Sequence, residues 1–87
     1  MNFRLVWPRA IQTQLGDEYM RARDNGLADE FTAAVHRLEI RLTQDPVEAS
    51  ESRGVPDRIA IDWEVVMWFR LDEPNHAVVV TGIAYAG

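Results

Sequence analysis

The sequence predicts an α+β domain in the order β-α-α-β-β-β, with a helical hairpin packed on one face of a small antiparallel sheet. Three observations predict it. Leu27, Phe31, Val35, Leu38 and Leu42 recur at i, i+4, i+8, i+11 and i+15, which is one apolar stripe on an α-helix. Asn25-Gly26 joins that helix directly to another helical pattern, so the two form an antiparallel pair. After Asp57 the apolar period changes from helical to two, the mark of strands.

Each element follows in order. Phe3, Leu5 and Trp7 alternate with Arg4 and Val6, predicting a short opening strand that Pro8 ends. Ile11, Leu15, Tyr19 and Ala22 keep helical spacing through the first helix, and Asp17 with Arg21 is positioned as an exposed i,i+4 pair. Gly16 weakens this helix by about 1 kcal/mol relative to Ala. The second helix carries Asp29 and Glu30 in its first turn and Arg37 and Arg41 toward its end, which suits the helix dipole, and Asp45-Pro46 closes it. Val47 to Asp57 is polar, contains Gly54 and Pro56, and reads as a loop. Arg58 to Trp63, Glu64 to Leu71 and His76 to Ile83 then read as three strands of a meander, with Asp72-Glu73-Pro74-Asn75 as the second turn.

Composition bounds the rest. Eighty-seven residues make one domain, 1–87, with no repeat and no linker to divide it. There is no cysteine, so disulfides and thiolate metal sites are excluded, and His36 and His76 stand apart with no second ligand at metal spacing. No run approaches the ~18 apolar residues of a membrane span, and the first residues lack a signal-peptide design, so a cytoplasmic protein is the expectation. Net charge is −5 and all nine basic residues are Arg, which argues against strong binding to free nucleic acid. No phosphate-binding glycine loop, nucleophile elbow or paired-acid motif is present, and no cofactor is implied.

The middle meander strand has two apolar faces. Val65, Met67, Phe69 and Leu71 point one way, toward the helix stripe; Val66, Trp68 and Arg70 point the other. In the last strand Val78 and Val80 share one face, and Val79, Thr81 and Ile83 the other. Either flanking loops cover the second face or it awaits a protein partner. The docking reading places Val66, Trp68 and Arg70, with Val78 or Val80, on the sheet face turned away from the helices. Ile40, opposite the buried stripe of the second helix, adds an exposed apolar residue to it.

These segments resemble a known family. The stretch Asn25-Gly26-Leu27-Ala28-Asp29-Glu30-Phe31 through Asp45-Pro46, the junction Trp7-Pro8-Arg9-Ala10, and Trp68-Phe69-Arg70-Leu71 followed by Val78-Val79-Val80 are similar to the RelE/ParE toxin superfamily of bacterial type II toxin–antitoxin systems, which includes plasmid stabilisation proteins. The resemblance implies a growth-inhibiting toxin neutralised by a cognate antitoxin, with DNA gyrase (ParE-like) or the ribosome (RelE-like) as target. For a ribosome-dependent mRNA endonuclease the matching positions are Arg58, Arg70 and Tyr85. The basic C-terminal segment of such nucleases has no counterpart after Ile83, where the chain reads Ala84-Tyr85-Ala86-Gly87. Arg58 and Arg70 have an ordinary reading as surface arginines paired with Asp62, Glu64 or Asp72. Tyr85 reads equally as a ring packed on the domain edge, and Glu51 and Arg53 as solvated loop residues. The expectation is therefore a ParE-like toxin acting by protein binding. The alternatives are a nuclease or an inactive relative of the same fold.

Overall fold

The computed structural model describes residues 2–54 and 56–87; Met1 and Val55 lie outside the described residues. Its elements are β1 (Arg4–Val6), α1 (Arg9–Asp24), α2 (Ala28–Gln44), β2 (Glu51–Ser52), β3 (Asp57–Asp62), β4 (Val65–Asp72) and β5 (Ala77–Tyr85). The predicted order of helices and strands holds. The sheet is five-stranded rather than four, in the order β1-β5-β4-β3-β2.

It is also mixed rather than antiparallel. β1 pairs parallel with β5, Leu5 opposite Val78, while β2, β3, β4 and β5 pair antiparallel in sequence. Direction explains this. α1 carries the chain on in the direction of β1, since Gln14 and Glu18 meet Ile83 and Tyr85 in the same order, and α2 brings it back to β1, where Phe3 N–H bonds Thr43 C=O. β2 to β5 then alternate, so β5 runs the same way as β1 and the two can meet only in parallel. The segment read as a loop contains β2 because Arg53 N–H bonds Asp57 C=O at 2.8 Å and Asp57 N–H bonds Gly54 C=O at 2.6 Å. Gly54, at φ +93°, makes that hairpin turn possible.

The helical hairpin turns where the sequence puts it. Leu27 N–H bonds Ala22 C=O at 2.8 Å and Gly26 N–H bonds Arg23 C=O at 2.9 Å, the paired closure of a Schellman cap with Gly26 at φ +76°. α2 buries Phe31, Ala34, Val35, Leu38 and Leu42; α1 buries only Ile11 and Ala22. These residues pack on Ala60, Val65, Met67, Phe69, Val78, Val80, Ile83 and Tyr85 of the inner sheet face. The expected Asp17–Arg21 pair does not form. Arg21 bonds Glu18 at 2.9 Å instead, because both reach toward the end of β5.

Candidate functional site

Three antiparallel strands set the outer face, and register decides its rows. Residues opposite each other across a ladder share a face. Ile59 lies opposite Trp68, which lies opposite Gly82; Ile61 lies opposite Val66, which lies opposite Ala84; Asp57 lies opposite Arg70, which lies opposite Val79. Ile61 is 56% exposed and Trp68 40%. Gly82 fits beneath the indole: a Cβ there would come 3.2 Å from Trp68 Cε3. Beside the indole a cleft of about 530 Å³ is lined by Arg53, Asp57, Arg70 and Thr81 among others. Two of its arginines are balanced by carboxylates, Arg70 with Asp57 at 3.8 Å and Arg53 with Glu51 at 3.5 Å, and the third, Arg58, is bonded to Ser50 and Val47. The face is therefore apolar with a paired-charge border, and not a basic track.

Val66, Trp68 and Arg70 lie on this face as expected. Val78 and Val80 do not. Both are fully buried against the helices, since Leu71 lies opposite Val78 and Phe69 opposite Val80. The ladder then slips: Trp68 faces Gly82, which leaves Thr81 as the extra residue of a β-bulge. The slip carries Ile83 and Tyr85 to the inner face with Val78 and Val80, so strict alternation along β5 misplaces them. The β5 residues of the outer face are Val79, Gly82 and Ala84. Ile40 is exposed, as its position on the helix predicts, but α2 lies across the inner face. It cannot extend the Trp68 surface. Ile59 and Ile61 were missed as members of that surface. Counting back across the two-residue Trp63-Glu64 turn from Trp68 would have found them.

Arg58 and Arg70 both line the cleft beside Trp68, but from opposite faces of the sheet, and Tyr85 is not brought to them. Arg58 lies opposite Phe69, on the helix side of the sheet. Its guanidinium donates to Ser50 Oγ at 2.6 Å and to the carbonyls of Val47 and Ser50 at 3.2 Å, tying down the segment after α2. Arg70 faces the other way. Tyr85 lies opposite Val65, five residues along β4 from Arg70, or roughly 16 Å of strand. Its ring is buried, stacked on Trp63 at 5.9 Å and edge-on to Phe31 at 6.3 Å, and its hydroxyl accepts from Asn25 Nδ2 at 3.2 Å. Glu51 and Arg53 are both exposed and paired with each other along the β2 arm of the hairpin.

None of the acids Asp62, Glu64 and Asp72 pairs with Arg58 or Arg70 among the described residues; Arg70 takes Asp57, and Asp62 is engaged elsewhere. Asp62 accepts two bonds from Arg37, at 3.0 and 2.7 Å, and one from Arg41 at 3.2 Å. The Arg37 hydrogen bonds hold its carboxyl below the usual carboxylate range, against the opposing effect of partial burial, with the charges of Arg37 and Arg41 adding to them. This cluster fastens α2 to the end of β3. His36 is exposed on α2, and the His76 ring lies 4.9 Å from Phe3 after β4, so the two histidines share no site. Among the described residues no group of three metal-binding side chains converges, and no helix is long and apolar enough to cross a membrane.

Comparison with solved structures gives a likeness over the whole chain. The fold is similar to that of a chain in the toxin–antitoxin complex RelBE2 from Mycobacterium tuberculosis, with a TM-score of 0.74 and 15% sequence identity over 98% of this chain and 99% of that one. No protein-family model and no curated protein matches the sequence. The chain shares the fold of that RelBE2 chain: two helices on a mixed five-stranded sheet.

Proposed function

We propose that this chain is the toxin-type component of a type II toxin–antitoxin system, held by a cognate antitoxin on the outer sheet face and acting through protein contacts in the ParE manner. One observation carries the reading: the fold match spans essentially all of both chains, and the matched structure is that of a toxin–antitoxin complex. The row of exposed Ile61 and Trp68 with half-buried Ile59 and Val66 supports the choice of surface. An apolar patch with a central Trp and a charged border is the anatomy of a docking hot spot. Arg70, only loosely paired with Asp57, can form a charge-assisted bond to an acidic residue of the partner.

Protein binding is favoured over RNA cleavage because cleavage needs charge-stabilising and proton-moving groups within reach of one phosphate. Arg58, Arg70 and Tyr85 point to two faces and two ends of the sheet. A nuclease reading draws its support from the cleft that gathers Arg53, Arg58, Trp68 and Arg70, where an aromatic face and three cations could hold a nucleotide.

Co-expression with the product of the neighbouring reading frame tests the main reading. The wild-type chain should co-purify with that protein, and Trp68→Ala should stay folded and lose it. Retention of the partner by both Trp68→Ala and Ile61→Ala would overturn the assignment of the surface. The mechanism is tested separately by DNA gyrase supercoiling and by primer extension on translating ribosomes. Codon-position cuts that vanish in Arg70→Ala would make the nuclease reading correct.

A further inference from the structure

β1 pairs with β5 only along Ala77–Val79, so the rest of β5, through Tyr85, borders no strand on that side. α1 runs there instead, and three of its side chains reach the β5 main chain. Gln14 Oε1 accepts from Ile83 N–H at 3.4 Å, and Glu18 Oε1 accepts from Tyr85 N–H at 2.8 Å. Arg21 Nη1 donates to Tyr85 C=O at 3.1 Å and to Glu18 Oε1 at 2.9 Å, so two of the arms are bonded to each other.

The spacing explains why a helix can do this. Four helical residues advance about 6 Å, and two strand residues advance about 6.6 Å. Main-chain groups facing one edge of a strand recur every second residue. Gln14 and Glu18 therefore keep step with Ile83 and Tyr85, and Arg21, one turn on, meets the next acceptor. Unpaired edges of this kind ordinarily recruit another strand.

The same side chains carry much of the attachment of α1. Its buried apolar residues are only Ile11 and Ala22, against five in α2. At the far end of the row the Arg21 guanidinium lies 5.6 Å from the Tyr85 ring centroid, and Asn25 bonds the hydroxyl. Trp63 stacks on that ring from a backbone held at φ +53°, a left-handed conformation that disfavours so bulky a residue.

We infer that the Gln14–Glu18–Arg21 row substitutes for a missing strand and latches α1 to the open edge of β5, and that this seam opens separately from the α2–sheet core. The inference is independent of which partner occupies the outer face. Segments with few buried apolar contacts are where local opening concentrates. Here the polar row adds to the apolar contacts of α1, which are the buried Ile11 and Ala22, the half-buried Leu15 and the edge contact of Tyr19 with Phe31.

Amide hydrogen exchange read residue by residue by NMR tests it. Ile83 and Tyr85 direct their N–H groups to α1, whereas Gly82 and Ala84, alternating with them, face β4. In Glu18→Ala the Tyr85 amide should exchange about tenfold faster or more, the factor that accompanies loss of a hydrogen bond to a charged acceptor. The Met67 and Phe69 amides should keep their wild-type rates. Glu18→Gln retains an acceptor oxygen and should restore much of the protection, and Gln14→Ala should speed Ile83 more than Tyr85. Unchanged Tyr85 exchange in Glu18→Ala would overturn the inference. So would equal acceleration of the Tyr85, Met67 and Phe69 amides, because α1 would then be part of one cooperative unit.

Discussion

The two faces of the sheet are made of the same kinds of residue and have opposite fates. Along β4, Val65, Met67 and Phe69 are fully buried, while Trp68 between them is 40% exposed. Alternation sorts the side chains onto two faces but does not say which face is covered. The inner face is a core because Phe31, Leu38 and Leu42 of α2 close on it. The outer face is nearly as apolar in its Ile59, Ile61, Val66 and Trp68 rows, yet no helix among the described residues packs across it. Hydrophobicity alone therefore marks both a core and a docking surface, and the covering element distinguishes them.

The sharpest way to break this comparison is to put one charge on each face of β5. Val80→Asp buries a carboxylate beside Phe69 with no partner and should abolish folding. Val79→Asp, one residue away and facing outward opposite Arg70, should fold and shift stability by about 1 kcal/mol or less. Circular dichroism and urea titration of the pair decide it. Similar losses at both positions would mean that the outer face is covered in solution.

A second pair uses neighbours on β4. Phe69→Ala should cost roughly 3–5 kcal/mol, because it leaves a cavity under the helices. Trp68→Ala removes a larger side chain yet should cost under about 1.5 kcal/mol, since its ring rests on Gly82 with much of its surface in water. Urea midpoints at constant slope measure both. The same contrast on α2 sets Leu38→Ala, fully buried, at roughly 2–5 kcal/mol against a small loss for the exposed Ile40→Ala.

How much of this was legible in the sequence depends on range. Local signals worked: the Leu27-to-Leu42 stripe, the Asn25-Gly26 cap and the β4 alternation all describe what neighbours along the chain can do, and the fold class followed. Features set by pairing did not come through. The parallel β1–β5 contact joins residues at opposite ends of the chain, and nothing in Arg4–Val6 announces its direction. The bulge at Thr81 breaks the period of two by a single residue and moves Ile83 to the face of Val78 and Val80. Which of the two β5 faces is inner is set by the pairing of Val78 with Leu71 and Val80 with Phe69, which alternation within β5 does not contain. The arginines failed in the same way. Arg58 and Arg70 are twelve positions apart in a meander, but cross-strand register puts them on opposite sides of the sheet. Site geometry is a register property, and sequence spacing within one strand cannot fix it.

The smallest expected effect concerns the tie between the helices and the rim of the outer face. Asp62 ends β3 one residue after the exposed Ile61, and holds Arg37 and Arg41 of α2. Its carboxyl titrates below the ordinary range in the folded chain, chiefly through the Arg37 hydrogen bonds. The folded state thus binds fewer protons than the unfolded one in that interval, where an unfolded Asp titrates near 3.9. The stabilisation is complete above that value and is lost as pH falls through the lower folded pKa. Both arginines are about half exposed, so solvent screens the cluster and Asp62→Asn should cost about 1 kcal/mol or less at pH 7. The other carboxylates also titrate, but they are common to both chains. Subtracting the urea stability of Asp62→Asn from that of wild type isolates Asp62: the difference should be flat from pH 7 to about 5 and shrink below about pH 4. A difference that stays constant down to pH 2 would mean that the Arg37 bonds are not what fastens α2 to β3.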